Sequence, residues 1–525
     1  MSRHFLKLLV VVAALLAPCQ SRAFSLLGAK ATWMTTEIGY FGADAGGPMY
    51  LGEGYRYNMP VLTYAYDASF LRYFGTNGVA AIDSTMAIIN ALPDADKISD
   101  SDILDDTKFP TLTRRSNASA DALGLLDLKS LTLAVMMEQM GVASPERYVW
   151  SLRAHFADAV PRDHFSVINP NYDPQTLSET EYVNGVLYSY EIIPTGPYPQ
   201  FAAASFPVDP LASAWSSVAD YTQTLAPSDF STRGYFAAHG AGIYFPALTR
   251  EDVAALRYLF RSSNYAVESL LGDVRASTGG ALGVTGGNGD GALSSGGFIG
   301  GNSGTGTPWT PTFSILTAVP STTGGSPWAP VVVSTNLTTN TITATTTNGL
   351  PRVVTALRPG VGSAKFVKIS YDSILGATTQ PYLVTWVDRY VTNRTLRAQI
   401  VSRTVVSPDI IFGAEDLGVF NPTAEPVTYV RSVDGYTSFA ALNTSGGFGE
   451  LAGPGIINSF KAIAFSKVGR YYLHVTPSPN IGTPTKDDGT LGLSWGSFSG
   501  GTNPIVAYPE GTSLRAIEAL VKKGL

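Results

Sequence analysis

Residues 131–146 constrain the fold most, because they read as a helix that is apolar almost all the way round. A helix with so little polar surface packs inside a core instead of lying on a surface. Gly141 and the Ser144-Pro145 pair then predict a sharp exit from this helix. The two adjacent stripes at helical spacing are Leu131, Val135, Glu138 and Val142, then Leu133, Met136, Met137 and Met140.

The first 23 residues predict a removable signal peptide. A basic start is followed by an apolar run at residues 8–17 and a small-x-small site at residues 21–23. A membrane-spanning helix needs roughly 20 apolar residues, so this run is too short to be one. We therefore expect an exported protein, secreted or at the cell surface, with no transmembrane segment in the mature chain.

Cys19 is the only cysteine, and cleavage after Ala23 would remove it. The mature chain is then predicted to lack disulfides, thiolate nucleophiles and cysteine–zinc sites. Pro18 stands directly before Cys19, where a lipoprotein signal requires a small residue, which argues against lipidation.

Composition supports the same compartment. Charged residues make up only 14% of the 525 residues, while Gly and Tyr are abundant. This balance is typical of a secreted, loop-rich protein with much β-structure, and the chain is too long for one core. The net charge of −6 and the lack of a basic cluster with interleaved aromatics speak against nucleic acid as a partner.

In the first half of the chain, Val61–Tyr66 reads as a strand and residues 79–92 as a helix. Thr76 or Asn77 is expected to cap that helix, and Pro93 to end it. Residues 169–210, rich in Pro and Tyr, are expected to be mostly ordered loop with short strands. Thr249 and Asp252 form a box-like pair that predicts the start of another helix.

The second half has a different character. Residues 279–306 are close to half glycine and predict a flexible linker. One imperfect glycine-aspartate copy at residues 286–290 does not make a calcium β-roll, which needs stacked repeats. The short β-type runs that follow are typical of sandwiches or barrels. They lie at residues 331–333, 341–347, 353–357, 365–369, 382–387, 396–401 and 427–430, and residues 513–523 read as a short amphipathic helix.

These observations predict an α+β domain joined by a glycine-rich linker to all-β sandwich modules. The sequence leaves open whether the β half is one domain or two. The predicted segments are a signal peptide at residues 1–23, the α+β domain at 24–272, a Gly/Ser/Thr-rich linker at 273–311, a β-sandwich module at 312–420, and a second at 421–525 with the C-terminal helix.

Three segments together resemble the catalytic domain of matrixin-type metzincins, which are zinc proteases. Val61–Tyr66 with residues 79–92 resembles the opening strand and first long helix of that family. Residues 131–146 resemble the helix that carries H-E-x-x-H-x-x-G-x-x-H, and residues 243–253 resemble the stretch from the methionine turn into the last helix. Residues 468–475 separately resemble a late strand of immunoglobulin-like modules. The resemblance implies a metzincin-like domain over about residues 31–271.

The departures from the zinc motif decide what the resemblance implies about activity. With Gly141 at the motif's glycine, the zinc histidines fall on Ala134, Glu138 and Ser144, and the catalytic glutamate falls on Val135. Such a zinc ion needs three protein ligands and an open water position, and only Glu138 is a plausible ligand. The resemblance therefore implies a scaffold without its chemistry, and the alternative is that a Met-rich helix is ordinary core. We predict no catalytic, metal-binding or cofactor-binding residues.

Other candidate residues match no complete pattern. The six aspartates between residues 94 and 106 lack the glycine and closing glutamate of an EF-hand, and predict a solvated loop whose calcium binding is left open. Asp487 and Asp488 suit glycoside hydrolysis only at the right separation from a partner, and no G-x-S-x-G elbow is present. The histidines that match no metal spacing are His155, His164, His239 and His474.

Two functions remain as hypotheses. The first is an exported non-catalytic structural or binding protein that acts through its surfaces on an extracellular protein or glycan. The alternative is a secreted peptidase or glycoside hydrolase whose site the sequence does not reveal.

Overall fold

The strand Val61–Tyr66 lies inside a five-stranded mixed sheet. It runs parallel to both of its neighbours, Lys365–Lys368 and Ile410–Glu415. Ile410–Glu415 is in turn parallel to Phe460–Ser466, and Tyr429–Val433 closes the far edge antiparallel. The run VLTYAY is almost continuously apolar, as expected of a strand inside a partly parallel sheet, and the predicted strand is confirmed.

This arrangement comes from a computed structural model with many strands in several sheets and few helices. The structure describes residues 23–28, 30–40, 46–51, 53, 56–156, 163–212, 217–223, 241–271, 273–276, 331–336, 341–346, 352–392, 394–415, 429–433, 436–437, 456–457, 460–467, 470–471, 491–492, 494–500 and 504–517. Most of the predicted signal peptide and of the predicted linker lies outside these residues.

The long helix, Ala68–Asn90, packs on this sheet and contains a kink. Asp67 caps its start by accepting a hydrogen bond from the Phe70 N–H, so the helix begins eleven residues before the predicted Val79. Gly75 has φ 55° and ψ −152°, which divides the helix in two. The predicted caps Thr76 and Asn77 instead open the second part, where their N–H groups donate to the Glu510 carboxylate.

The central helix, Leu128–Gln139, is the helix predicted within residues 131–146. Asp127 caps it through the Ser130 N–H, and every residue of it except Lys129 is buried. It ends just before Gly141, whose φ of 92° makes the predicted sharp exit. The helix Arg250–Phe260 also begins as predicted, because Thr249 and Asp252 form a complete capping box.

A seven-stranded antiparallel sheet holds most of the predicted β runs. Ala266–Ser269, which comes before the predicted linker at residues 273–311, also pairs into this sheet, and so does Val274–Ala276, which lies inside the predicted linker. Its main path, in order across the sheet, is Val274–Ala276, Thr395–Val405, Tyr382–Thr392, Arg352–Arg358, Thr341–Thr346 and Val331–Asn336, and Ala266–Ser269 pairs with Arg352–Arg358.

Strand pairing therefore crosses the predicted segment boundaries. Strands from residues 312–420 and 421–525 pair with each other and with Val61–Tyr66 in the mixed sheet, instead of forming separate all-antiparallel sandwiches. Ser494–Ser497 likewise runs parallel to Leu125–Asp127. Sequence periodicity identifies strands but not their partners, and parallel partners are distant in the chain.

The remaining elements are short and connect these layers. Phe24–Gly28 pairs with three short strands, and two hairpins project next to it. The elements are the 3₁₀-helices Thr36–Ile38 and Ala95–Lys97; the helices Asp100–Leu104, Ala118–Ala122, Pro145–Tyr148 and Asp220–Gln223; and the strands Phe24–Gly28, Gly47–Met49, Arg115–Ser116, Val142–Ala143, Ser151–Phe156, His164–Ile168, Asn171–Tyr172, Tyr182–Val183, Val186–Pro194, Phe201–Pro207, Ile243–Tyr244, Tyr436–Thr437, Ile456–Ile457, Arg470–Tyr471, Leu491–Gly492 and Val506–Ala507.

Some predicted elements fall partly or wholly outside the described residues. Of the predicted C-terminal helix, residues 514–517 are helical and residues 518–523 are not described. Of the immunoglobulin-like stretch 468–475, only Arg470–Tyr471 is described, paired with Leu491–Gly492. The predicted loop at residues 169–210 is wrong in part, because Val186–Pro194 and Phe201–Pro207 form a long antiparallel hairpin.

A buried arginine network ties the seven-stranded sheet, through Arg56, to the helix Arg250–Phe260. Arg358 makes a two-pronged ion pair with Asp388, with N–O distances of 2.8 and 3.0 Å. Arg56 pairs with Glu268 at 2.6 Å and donates to the Arg358 carbonyl at 2.9 Å. All four side chains are buried. Removing one member of a buried ion pair leaves an uncompensated charge in the interior, which strongly destabilises the folded protein.

We predict that Arg358→Met lowers the free energy of unfolding by about 3–5 kcal/mol, because it leaves Asp388 buried without its partner. Urea unfolding followed by circular dichroism measures the change. Lys368→Met is the matched control: it removes a partly exposed ion pair with Asp83 and should cost no more than about 1 kcal/mol. Equal losses for the two variants would contradict the importance of the network.

We also predict that Gly75→Ala destabilises the protein more than Gly376→Ala. Both glycines have positive φ, at 55° and 66°, where a Cβ costs about 1–2 kcal/mol. A Cβ at Gly376 meets open space, whereas one at Gly75 overlaps the Glu510 carboxylate. In a Glu510→Ala background the excess cost at Gly75 should shrink, as a double-mutant cycle on thermal unfolding would show. Part of it should remain, because φ 55° with ψ −152° is a backbone region essentially restricted to glycine. An excess that is unchanged in that background would rule out Glu510 as a contributor.

Candidate functional site

Two of the four positions that match the zinc motif are core packing positions. The side chains of Ala134 and Val135 are completely buried in the main hydrophobic cluster. The methionines of the same helix, Met136, Met137 and Met140, are buried with them. At these positions the central helix contacts neighbouring side chains on all sides, so the prediction of a helix buried in the core is confirmed.

The other two positions are polar but are engaged within the fold. Glu138 is only 8% exposed. The Ser144 hydroxyl accepts a hydrogen bond from the Arg147 N–H at 3.2 Å, which caps the helix Pro145–Tyr148, and it donates to the Asp220 carboxylate. Asp220 also accepts from the Ser217 N–H at 2.8 Å. The serine thus begins a helix and fixes a neighbouring turn.

A group of buried acids surrounds the start of the helix Arg250–Phe260. Asp252 accepts hydrogen bonds from the Thr249 N–H at 2.8 Å and from the Val218 N–H at 3.1 Å. Burial raises the pKa of Asp252, and these hydrogen bonds oppose that rise. Burial also raises the pKa of Glu251 well above its usual value, with Asp252 and Asp220 adding to the rise and Arg250 opposing it.

Glu251 differs from its neighbours because neither of its carboxylate oxygens has a hydrogen-bond partner among the described residues. A buried, unpartnered carboxyl is favoured in its neutral form. In the described part of the chain, no group of three or more His, Cys, Asp or Glu side chains is arranged to hold a metal ion.

The aspartates between residues 94 and 106 form caps, turns and ion pairs. Asp94 and Asp102 cap short helices, and Asp105 closes a turn on Thr107. Asp100 and Asp106 pair with Arg257 and Arg250, and Asp96 accepts from the Ser262 N–H. These contacts attach the acidic loop to the helix Arg250–Phe260. The loop is therefore held by the fold more firmly than the sequence predicted.

The predicted histidines fall in different places. His155 lies on the strand Ser151–Phe156, and His164 is exposed at the start of the next strand. His239, His474, Asp487 and Asp488 lie outside the described residues. The structure therefore brings none of the described histidines to the zinc-motif positions.

His155 forms a surface cluster with Asp163 and Tyr198. Its Nε2 lies 2.9 Å from Asp163 Oδ1, and the Tyr198 hydroxyl donates to the same oxygen at 3.2 Å. The imidazole is stacked on the Phe165 ring at 5.0 Å and lies edge-on to the Phe201 ring at 4.9 Å. No local sequence pattern predicts this cluster, because its members come from two separate hairpins.

The cluster continues along the hairpin Val186–Pro194/Phe201–Pro207. On that hairpin, Tyr190 packs against Trp150 with ring centroids 5.0 Å apart. Tyr198 and Tyr190 remain 65% and 39% exposed. We call this surface the aromatic face; it comprises Trp150, His155, Asp163, Phe165, Tyr190, Tyr198 and Phe201.

A separate apolar cleft of about 360 Å³ lies between the end of the long helix, Met140 and the helix Arg250–Phe260. Its lining is almost entirely apolar, and its charged member, Arg257, is already paired with Asp100. Ligand sites usually combine an apolar lining with a few convergent polar groups, which this cleft does not offer.

No protein-family model, curated protein or solved structure matches this chain. Within the described residues, no helix has the length and apolar character needed to cross a membrane. The function of this chain is therefore inferred from the geometry of its own residues.

We predict a pH dependence of stability from Asp127, the cap of the central helix. Burial raises the pKa of Asp127 to about 6. The folded state therefore holds this proton at pH values where the unfolded state has released it, so stability falls as pH rises from about 4 to about 6. In Asp127→Asn, which keeps the cap oxygen, this component should be absent. The stability difference between wild type and variant should change by up to about 3 kcal/mol across this window.

The measurement is urea unfolding of both proteins at half-unit steps of pH. Below about pH 3 the Asp127 carboxyl is protonated in both folded and unfolded states, so the difference should level off there, which serves as the internal control. A difference that stays constant from pH 4 to 7 would contradict the prediction.

Proposed function

We propose that this chain is an exported, non-catalytic structural or binding protein built on a scaffold that resembles a metalloprotease. The observation that carries the proposal is the use made of the four positions that match the zinc motif. Ala134 and Val135 pack in the core, Glu138 is buried at the end of the same helix, and Ser144 caps the next helix. Packing and capping occupy the places where a zinc protease needs ligands and a general base.

The surroundings of these positions add support. A catalytic zinc needs an open coordination position for water, with a substrate cleft beside it. Here the central helix is buried on nearly every side, and Ser144 is held by Asp220. Placing a histidine at Ala134 would overpack a filled core, which typically costs about 1–3 kcal/mol.

The aromatic face supports a binding role. It places large rings on the protein surface, where their exposed area is available to a partner instead of the core. The export part of the proposal rests on the basic start, the short apolar run and the small-x-small site of the first 23 residues.

Casein hydrolysis tests the proposal. We expect the purified full-length chain to show no hydrolysis that depends on zinc and is abolished by a chelator. We also expect its thermal midpoint to be the same with added zinc and with chelator, because a ligand that binds only the folded state raises that midpoint. A known zinc protease assayed in parallel is the positive control.

If the wild type does hydrolyse casein, the variant Glu138→Gln tests whether that activity depends on the zinc-motif positions. Glu138 is the one plausible ligand among the four positions, and the substitution keeps its size. Chelator-sensitive hydrolysis by the wild type that is lost in Glu138→Gln would overturn the proposal.

A further inference from the structure

We infer that the aromatic face binds a neutral polysaccharide, with the Tyr198 ring as its stacking platform and Asp163 as its hydrogen-bond acceptor. This inference rests on the proposed binding function and adds the ligand class and the residues. It is argued from the fixed position of Tyr198, from the free side of Asp163, and from the length of the face.

Tyr198 is held in place while remaining accessible. Its hydroxyl is fixed by Asp163, and its ring meets the His155 and Phe201 rings edge-on, at 6.0 and 6.1 Å with interplanar angles of 88°. The side chain is nevertheless 65% exposed. An exposed ring that is already ordered loses little conformational entropy when a flat molecule stacks on it.

Asp163 supplies the polar contact next to that ring. Both donors that reach it from the described residues, His155 and Tyr198, bond to the same oxygen, Oδ1. Its side chain is 32% exposed, so Oδ2 is left to accept from a ligand. A sugar offers C–H groups on its ring face and hydroxyls on its rim, which match this pairing of an aromatic ring with a carboxylate acceptor. Hydrogen bonds to an ionised acceptor are among the stronger ones.

The charges favour a neutral ligand. An acidic polysaccharide would meet the Asp163 carboxylate. A cationic partner would find a single carboxylate here, one of whose oxygens already accepts two hydrogen bonds. The guanidinium of Arg153, on the same strand as His155, lies over the Trp33 ring at 4.3 Å.

The face is long enough for a polymer. Tyr190, Ile192 and Pro194 point to one side of their strand, and Pro194 pairs with Phe201, which contacts Tyr198. Tyr190 and the Tyr198 cluster therefore share a side of the hairpin. The four residue steps from Tyr190 to Pro194 span about 13 Å, and Tyr198 lies beyond them. Between these two exposed rings, Ile192 and Phe201 pack against a core cluster, so only a polymer reaches both rings.

The test uses the full-length chain with four insoluble polysaccharides: cellulose, chitin, xylan and starch. We expect at least one to retain the protein in a pull-down. Titration with the corresponding hexasaccharide should then show Tyr198→Ala weakening the affinity about tenfold, with a smaller loss for Tyr198→Phe, which keeps the ring. Binding should be insensitive to added salt, because the ligand is uncharged.

Tyr265→Ala is the matched control, because Tyr265 is a comparably exposed tyrosine outside the aromatic face. It should bind like wild type, and thermal midpoints establish that all variants are folded. Retention by none of the four polysaccharides, or equal affinity of Tyr198→Ala and wild type, overturns the inference. Either result leaves the non-catalytic proposal standing, since that proposal fails only through chelator-sensitive hydrolysis.

Discussion

The buried arginine network is the interaction on which the rest of the structure depends. Arg358 donates to both oxygens of Asp388 and to the carbonyls of Glu268, Val354 and Val353. A guanidinium has five N–H donors in a fixed fork, so this set of acceptors tolerates little displacement. Because a buried charge without partners is very costly, only one mutual placement of the strands satisfies it. The Arg358 contacts therefore align strands within the antiparallel sheet, and Arg56, which donates to the Arg358 and Leu259 carbonyls, joins that sheet to the helix Arg250–Phe260.

The parts of this fold that were predictable are those specified by local sequence. The apolar, β-branched and aromatic residues of Val61–Tyr66 indicate a buried strand. The capping box of Thr249 and Asp252 indicates where a helix begins from four residues alone. The start of the long helix was missed because Gly75 interrupts its pattern, and the Asp67 cap lies before that interruption. Its second part is completed by Glu510, a residue more than 400 positions away. Local patterns carry no information about such a contact.

The candidate site was predictable only in part, for the same reason. The proposed alignment of four positions with a zinc motif uses one helix and one glycine, so it needs only local sequence. The aromatic face instead combines His155 and Asp163 from one hairpin with Tyr198 from another. Asp163 lies eight residues after His155, across a hairpin turn, and Tyr198 lies 35 residues further on. Neither spacing has a helical or strand period, so no periodic pattern marks these residues as neighbours.

Polar groups have different roles in the core and at the surface of this protein. In the core, Ser144, Asp127 and Asp252 begin helices, and their oxygens satisfy backbone N–H groups that would otherwise be buried without partners. These polar groups therefore serve to stabilise the fold. In the aromatic face, internal hydrogen bonds use one oxygen of Asp163 and orient Tyr198, while the other oxygen and much of the ring face solvent. A side chain ordered by its own protein but incompletely contacted by it is prepared for a ligand, which supports our proposal that binding takes place at the hairpins and not at the central helix.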